Sequence, residues 1–523
     1  MICKIHCLFT IGLLAGIAAL SSHGSAMTLD ITDGTTYTLS AAVAEVYASD
    51  DGPDIINLNV SSLPTADGQV LLNQPITING NANNRNSPDN YCDLLADAAN
   101  IQLSATQDVG QAGKAYIEIN APGDVNLNNL KIHPNANGKF AGTSNVGTIV
   151  AGIRMFNPDS GTGNYNFTQV LVSGSDGNGT FVPPDSGADL YNTPDMMHWG
   201  GFNGAQHVNT ILYGIIQAQN GTGPGIFNIL LDHCQCALGY GGALNINSTG
   251  GTTLVKGGVY GHCGYDAIHV QSTSVTLQGT HDDRIRVVRC ANTTATGRNA
   301  HGVEVMGDVD LMEYIDSENL FTANNFNFQS GHTKMMRFCR ALGKFDTGPN
   351  ESVYIAGATT AVDYIEDCTF VGSGNNFVPF HITSGVVSPV IVKDCIFSSE
   401  SSGTVILDSP AALTFINSAF PTDGLTSETL NDPPITGLSV TASFTPSYTD
   451  APYNASPHYI LNRLSYDWSD AQGSGQNGNG AGNANVLRPS NPAYQTASST
   501  SGPLNGGAGA PAAGIDSSDW MLM

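Results

Sequence analysis

Apolar and polar positions alternate in short runs along most of this chain. Ala243–Asn247 reads ALNIN, Ala267–Gln271 AIHVQ, Gly302–Met306 GVEVM, Asn325–Gln329 NFNFQ, Ser352–Ala356 SVYIA and Pro379–Thr383 PFHIT. A period of two sends the flanking apolar residues to one face of a strand and the central residue to the other. The central residues form a column, Asn245, His269, Glu304, Asn327, Tyr354 and His381, with steps of 24, 35, 23, 27 and 27 residues.

A second set of runs carries an apolar stretch into a turn. DYIEDCTF at Asp363–Phe370 and VIVKDCIF at Val390–Phe397 are nearly the same phrase, with Cys368 and Cys395 spaced 27 apart. Aligning on those cysteines adds Asn129, Gln169, Asn209, Cys234, Gly258, Cys290, Ser317, Cys339 and Ser418. From Asn209 onward the steps are 25, 24, 32, 27, 22, 29, 27 and 23. A near-constant step with variable loops is the mark of a solenoid. Helical repeats would show a 3.6-residue period and leucine-rich repeats a leucine ladder, and neither is present. Short strands separated by Gly, Asn, Asp and Ser predict an all-β fold, a right-handed parallel β-helix, with equivalent residues of successive coils stacked about 4.8 Å apart.

Composition then narrows the partners. The chain has 523 residues, 60 of them glycine, and a net charge of −26. Such a field repels nucleic acid and anionic membranes, and a bare polyanionic ligand would need bridging cations. Lys4, the apolar run Leu8–Leu20, and the small residues Gly24 and Ala26 read as a signal peptide. No later run is long enough to span a bilayer. The expected division is a signal peptide at 1–26, the β-helix at 27–423, an irregular C-terminal cap at 424–470 and a Gly/Asn/Ser/Pro-rich flexible tail at 471–523. A secreted or cell-surface monomer with no transmembrane anchor is the expectation.

The N-terminal passage YTLSAAVAEVYASDDGPDIINLNV, followed by LLNQPITINGNAN, resembles the opening of the pectate-lyase-like superfamily of secreted β-helix proteins: a short cap helix, a first strand and an ITI-x-G coil. A cap covers strand edges and core that an open end would expose. The resemblance covers roughly 28–423 and implies a fold, from which activity does not follow.

Candidate chemistry lies on outward positions. Asp266 stands three residues before His269, and His301 three before Glu304. Consecutive coils are therefore expected to gather Asp266, His269, His301 and Glu304 into one exposed catalytic cluster, where imidazoles beside carboxylates suit proton transfer. A solvated polar face is the alternative. Substrate contacts are expected from Asn245 and Tyr354 in the column, and from Arg284 and Arg286, which are placed either to bind a sugar carboxylate or to form a local ion-pair turn. Tyr191 and Trp199, in the long insertion Gly174–Gln206, offer flat surfaces for sugar rings. NTPD at Asn192–Asp195, GHC at Gly261–Cys263, HDD at His281–Asp283 and RIR at Arg284–Arg286 match the motifs of pectin hydrolases only imperfectly and out of order.

The stacked cysteines have two open readings, disulfides between coils or inert apolar packing. Zinc lacks further ligands around Cys234 and Cys236. No cofactor is certain. Calcium is a candidate at Ser175–Gly179 and Ala48–Asp54, though neither completes a known calcium loop. Two functions of different class follow. One is a secreted polysaccharide-active lyase, epimerase or hydrolase acting on an extracellular, uronate-containing glycan, with Asp266 and Glu304 as the acid and base of the hydrolase version. The other is a noncatalytic surface or adhesion protein.

Overall fold

A computed structural model describes residues 26–35, 37–49, 52–80, 92–97, 115–134, 139–140, 149–173, 207–208, 211–217, 223–237, 242–247, 250–261, 266–280, 284–288, 301–319, 324–344, 350–373, 377–393, 395–399, 406–407, 413–416, 418–420 and 438–440. The described chain is a parallel β-helix. A complete coil contributes one strand to each of three long sheets, here called A, B and C, with thirteen, thirteen and eleven described strands, the coils at the two ends being incomplete. One such coil runs Gly250–Lys256 in sheet A, Val259–Gly261 in sheet B and Ile268–Val270 in sheet C. The one exception to parallel pairing among the described strands is Lys139–Phe140 against His207–Val208, which is antiparallel.

The cap helix is Leu39–Tyr47. Thr38 caps it, its hydroxyl accepting from the Ala41 amide at 3.2 Å, and Leu39, Ala42, Val43 and Val46 are buried against the first coil. Sheet A begins before this helix, with Thr28–Ile31 beside Asp54–Leu58. At the far end Leu438–Val440 pairs with Ser418–Phe420, so sheet B runs past position 423. No described helix is long and apolar enough to cross a membrane.

Sheet A turns into sheet B through a tight corner occupied by one residue in the left-handed region. Asn129, Gln169, His233, Tyr314, Phe338 and Asp367 hold this position with φ of 51–57°, and Gly257 does so at 57°. A side chain there costs about 1–2 kcal/mol. The cost is offset because each corner amide donates to a carbonyl of the next coil: Asn129 to Thr168, Gln169 to Asp232, His233 to Lys256, Phe338 to Glu366 and Asp367 to Lys393, at 2.8–3.2 Å. Polar side chains on the outside of sheet A repeat the same stacking. Asn128 donates to Asn79 at 3.0 Å, Asn79 to Asn57 at 2.9 Å and Asn57 to Asp30 at 2.8 Å. Further along, Glu313, Arg337, Glu366 and Lys393 follow one another in register with alternating charge.

Inside, Thr369 pairs with Ile396, so that Cys368 lies beside Cys395 on the neighbouring rung, with Cys339 on its other side. The sequence alignment holds at Cys234, Gly258, Cys339, Cys368, Cys395 and Ser418, falls one residue short of the column at Asn129 and Gln169, and slips at Ser317, while Asn209 and Cys290 lie outside the described residues. Arg286 pairs with Asp316 and Asp316 with Arg340, which puts Ile285 and Ile315 in the cysteine column instead of Cys290 and Ser317. The column selects an inward side chain after the corner, and apolar isoleucine fills it as well as a thiol. Small polar residues, used for alignment, mark it only by coincidence. Phe370 and Phe397 stack at 5.3 Å, with Phe380 edge-on to Phe397 at 5.5 Å.

No disulfide joins the six described cysteines, and all six are buried. Of the two readings of the cysteine ladder, inert packing describes them. Burial pushes the thiols of Cys92 and Cys234 up to about 12, and that of Cys368 well above its ordinary value. Iodoacetamide at pH 8 should therefore leave these six unmodified in the native protein and modify all six in denaturant, read peptide by peptide in a mass spectrometer. A recovered Cys339–Cys368 or Cys368–Cys395 cross-link would refute this. Phe370→Ala should cost about 3–5 kcal/mol in equilibrium unfolding, because the neighbouring rings cannot close the cavity; a loss below about 1 kcal/mol would mean that the ring stack does not support the core.

Candidate active site on sheet C

The alternating runs form the strands of sheet C, and their central residues stack in register. Asn245 pairs with His269, His269 with Glu304, Glu304 with Asn327, Asn327 with Tyr354 and Tyr354 with His381. In the N-terminal direction the column continues through Ile216, Arg154 and Glu118, the last two forming an ion pair.

A second column runs beside it, three residues earlier in each coil: Asp266, His301, Asn324 and Glu351. Its members hand hydrogen bonds from coil to coil. Asp266 Oδ1 accepts from the His301 amide at 2.7 Å, His301 Nδ1 from the Asn324 amide at 3.3 Å, and Asn324 Oδ1 from the Glu351 amide at 3.2 Å. Each side chain thus satisfies a backbone donor at the entrance to the next strand, which would otherwise be buried without a partner. The acceptor role of Nδ1 assigns the proton of His301 to Nε2. Burial holds this imidazole down at about 4, so it is neutral and its 3.8 Å approach to Glu304 is not an ion pair at neutral pH.

The two columns meet at His269. Its Nδ1 lies 2.6 Å from Glu304 Oε2 and 3.3 Å from Asp266 Oδ2. Burial alone would lower its pKa, but the hydrogen bonds and charges of Asp266 and Glu304 outweigh burial and raise it to about 9. Asp266, fully enclosed, is pushed by burial up to about 7, with the Glu304 charge adding to the rise. Glu304 moves the other way. Burial opposes its charge, but the His269 hydrogen bond and charge prevail and lower its pKa. Asn327 Nδ2 donates to Glu304 Oε1 at 3.3 Å and Asn324 Nδ2 to Asn327 Oδ1 at 3.4 Å. Further along, His381 Nδ1 sits 3.2 Å from Glu351 and edge-on to the Tyr354 ring at 5.1 Å.

Asp266, His269, His301 and Glu304 therefore do come together, but not as an exposed patch. They point away from the coil interior and are nonetheless 0%, 7%, 4% and 6% exposed. Alternation along a strand tells inside from outside of the coil; it does not tell whether the outside is covered. Asn324 and Glu351 escaped the sequence reading although the signal was present, since they stand three residues before Asn327 and Tyr354, as Asp266 and His301 stand before His269 and Glu304.

Arg284 and Arg286 are elsewhere. Arg286 belongs to sheet B and Arg284 immediately precedes its strand, where Arg284 Nε donates to Asp316 at 2.7 Å, the ion-pair alternative of the sequence reading. Tyr191 and Trp199 lie outside the described residues, as do the calcium candidate 175–179 and the hydrolase-like segments at 192–195 and 281–283. Of the other calcium candidate, Asp54 Oδ1 accepts from the Met27 amide at 3.1 Å. The ligand atoms of Asp266, His269 and Glu304 all lie within 4.8 Å of one another, close enough to hold a cation.

The cluster should leave a pH signature. Because the folded pKa of His269 lies above the ordinary 6.5, its contribution to stability is full below about 6.5 and is lost as pH rises through about 9. His301 is opposite: its contribution is present above 6.5 and is lost as pH falls through about 4. An imidazole NMR titration should place His269 near 9, falling in Glu304→Gln. A wild-type His269 midpoint near 6.5 would contradict the clamp. No protein-family model, no curated protein and no solved structure matches this chain, so that the geometry of sheet C is what a functional reading stands on.

Proposed function

We propose that this is a secreted, polysaccharide-active β-helix protein of the pectate-lyase-like superfamily, acting by proton abstraction on an extracellular glycan. The observation that carries the reading is the clamp on His269. A carboxylate on Nδ1 fixes the tautomer that presents Nε2 as a base, and a second carboxylate raises its basicity further. A strong, positioned base suits removal of a weakly acidic proton beside a uronate carboxylate, the chemistry of a lyase or epimerase. Asn245 and Tyr354, in the same column, supply amide and phenol groups for sugar hydroxyls, while Asn327 is fully buried and holds Glu304.

The hydrolase version has less support. Asp266 and Glu304 converge on one imidazole nitrogen, whereas a glycosidase needs two carboxyls separated across the scissile bond. Neither Arg284 nor Arg286 is on sheet C, and Arg154 is engaged by Glu118. Neutralising a uronate carboxylate on a chain this acidic would thus fall to an added cation such as calcium. The burial of the cluster favours a second reading, a noncatalytic surface protein in which Asp266 and His301 serve only to connect coils.

The test is incubation of the full chain with acidic and neutral polysaccharides, with and without calcium, followed by absorbance of unsaturated products and by reducing ends. Unsaturated products should form, faster as pH rises through about 9 as His269 loses its proton, and His269→Ala should lower the rate by about 10²–10⁴-fold. Glu304→Gln should move the pH limb downward and slow the reaction. Glycan binding without cleavage, unchanged in His269→Ala, would replace the lyase reading with the adhesion one.

A further inference from the structure

Three basic side chains, Arg284, Arg286 and Arg340, gather around Asp316 at sheet B. Arg286, Asp316 and Arg340 are consecutive rungs of one outward column, and Arg284 enters the same place from the residue preceding its strand. Asp316 is the hub. Its Oδ1 accepts from Arg284 Nε and from Arg340 Nε, each at 2.7 Å, while Oδ2 accepts from Arg340 Nη2. Arg284 Nη2 donates to the Phe338 carbonyl. The aromatic corner residues form one wall: Tyr314 stacks on Phe338 at 4.9 Å, and the Arg284 guanidinium lies 5.2 Å over the Tyr314 ring.

Two features of this group are unexplained by the fold. The first is a hydrogen-bond deficit. Arg284 and Arg340 are only 6% and 3% exposed, and Nη1 of each is buried without a hydrogen-bond partner. A buried charged donor left unfilled is costly, and native proteins rarely keep one without a reason. The second is a charge surplus. Among the described residues Asp316 carries the one carboxylate bonded to the two buried guanidinium groups of Arg284 and Arg340. Packing cations in excess beneath the surface of a chain with net charge −26 is the reverse of what its composition favours.

We propose that this group is a binding site for a small oxyanion, taken up by the buried, unpartnered Nη1 donors of Arg284 and Arg340. Guanidinium groups bind oxyanions through paired N–H donors, and one anion would meet both the hydrogen-bond deficit and the charge surplus. With Arg284 and Arg340 only 6% and 3% exposed, the ligand proposed is a small ion such as inorganic phosphate, sulfate or a simple carboxylate and not a polymer. The site is on a different sheet from His269 and does not depend on the catalytic reading. Its role is to hold three coils of sheet B together.

Isothermal titration of the full chain at constant ionic strength tests it, with inorganic phosphate, sulfate and acetate as probes and chloride as the balancing salt. One equivalent should bind saturably, and the ranking of the three probes separates a tetrahedral oxyanion from a carboxylate. Arg340→Lys, which keeps the charge beside Asp316 but loses Nη1, should bind roughly tenfold more weakly or worse. Lys334→Gln, at an exposed ion pair with Asp310 on sheet A, should bind as wild type does, which removes any general salt effect. Thermal unfolding of each variant reports whether it folds. Absence of one-equivalent binding of any probe to the wild-type chain would overturn the proposal, as it would if a carboxylate of the chain itself already filled the place. Equal affinity in wild type and folded Arg340→Lys would overturn it too.

Discussion

Everything in this molecule answers to the register between coils. Parallel strands bonded rung on rung place each residue about 4.8 Å from its counterpart in the next coil. Whatever stands at one position must therefore tolerate, or bond to, what stands at that position one coil away. Inside, the rule is met by apolar stacking of cysteine, isoleucine and phenylalanine. Outside, it is met by asparagines that donate to asparagines and by acids that alternate with bases.

The corners and the strand entrances show the same rule acting on the backbone. A left-handed residue at seven of the described A-to-B corners is tolerated because its amide is bonded to the coil beyond. At the entrance to sheet C the amide is instead met by a side chain, which is why Asp266, His301 and Asn324 stand where they do. Stacking thus brings together ionisable groups that no local motif would combine. Two carboxylates reach one imidazole because they come from the same coil and the next, and their mutual burial splits their behaviour: Asp266 is driven toward the protonated form and Glu304 toward the charged one.

Sheet B arrives at a different balance under the same constraint. Asp316 is also fully enclosed, yet Arg284 and Arg340 outweigh the burial and hold its pKa at about 2. One outer face of the solenoid therefore concentrates acids around a histidine and another concentrates arginines around an acid.

The amino-acid sequence by itself determined the coil. Its period-two alternation and recurring step of about 22 to 30 residues are direct consequences of a strand pleat and a fixed coil circumference, so the order Asn245, His269, Glu304, Asn327, Tyr354, His381 was legible before any coordinates. The cysteine column was legible only where the loops kept their length. Beyond Gly258 the register passed to Ile285 and Ile315, because packing selects for apolar volume and not for a letter. Tertiary structure alone decided what lies over the outward residues, which nitrogen of His301 holds the proton, and that Arg284 turns to Asp316. Those outcomes depend on contacts between coils more than 20 residues apart in sequence, and the strength of each charge depends on burial, to which a strand's alternation is blind.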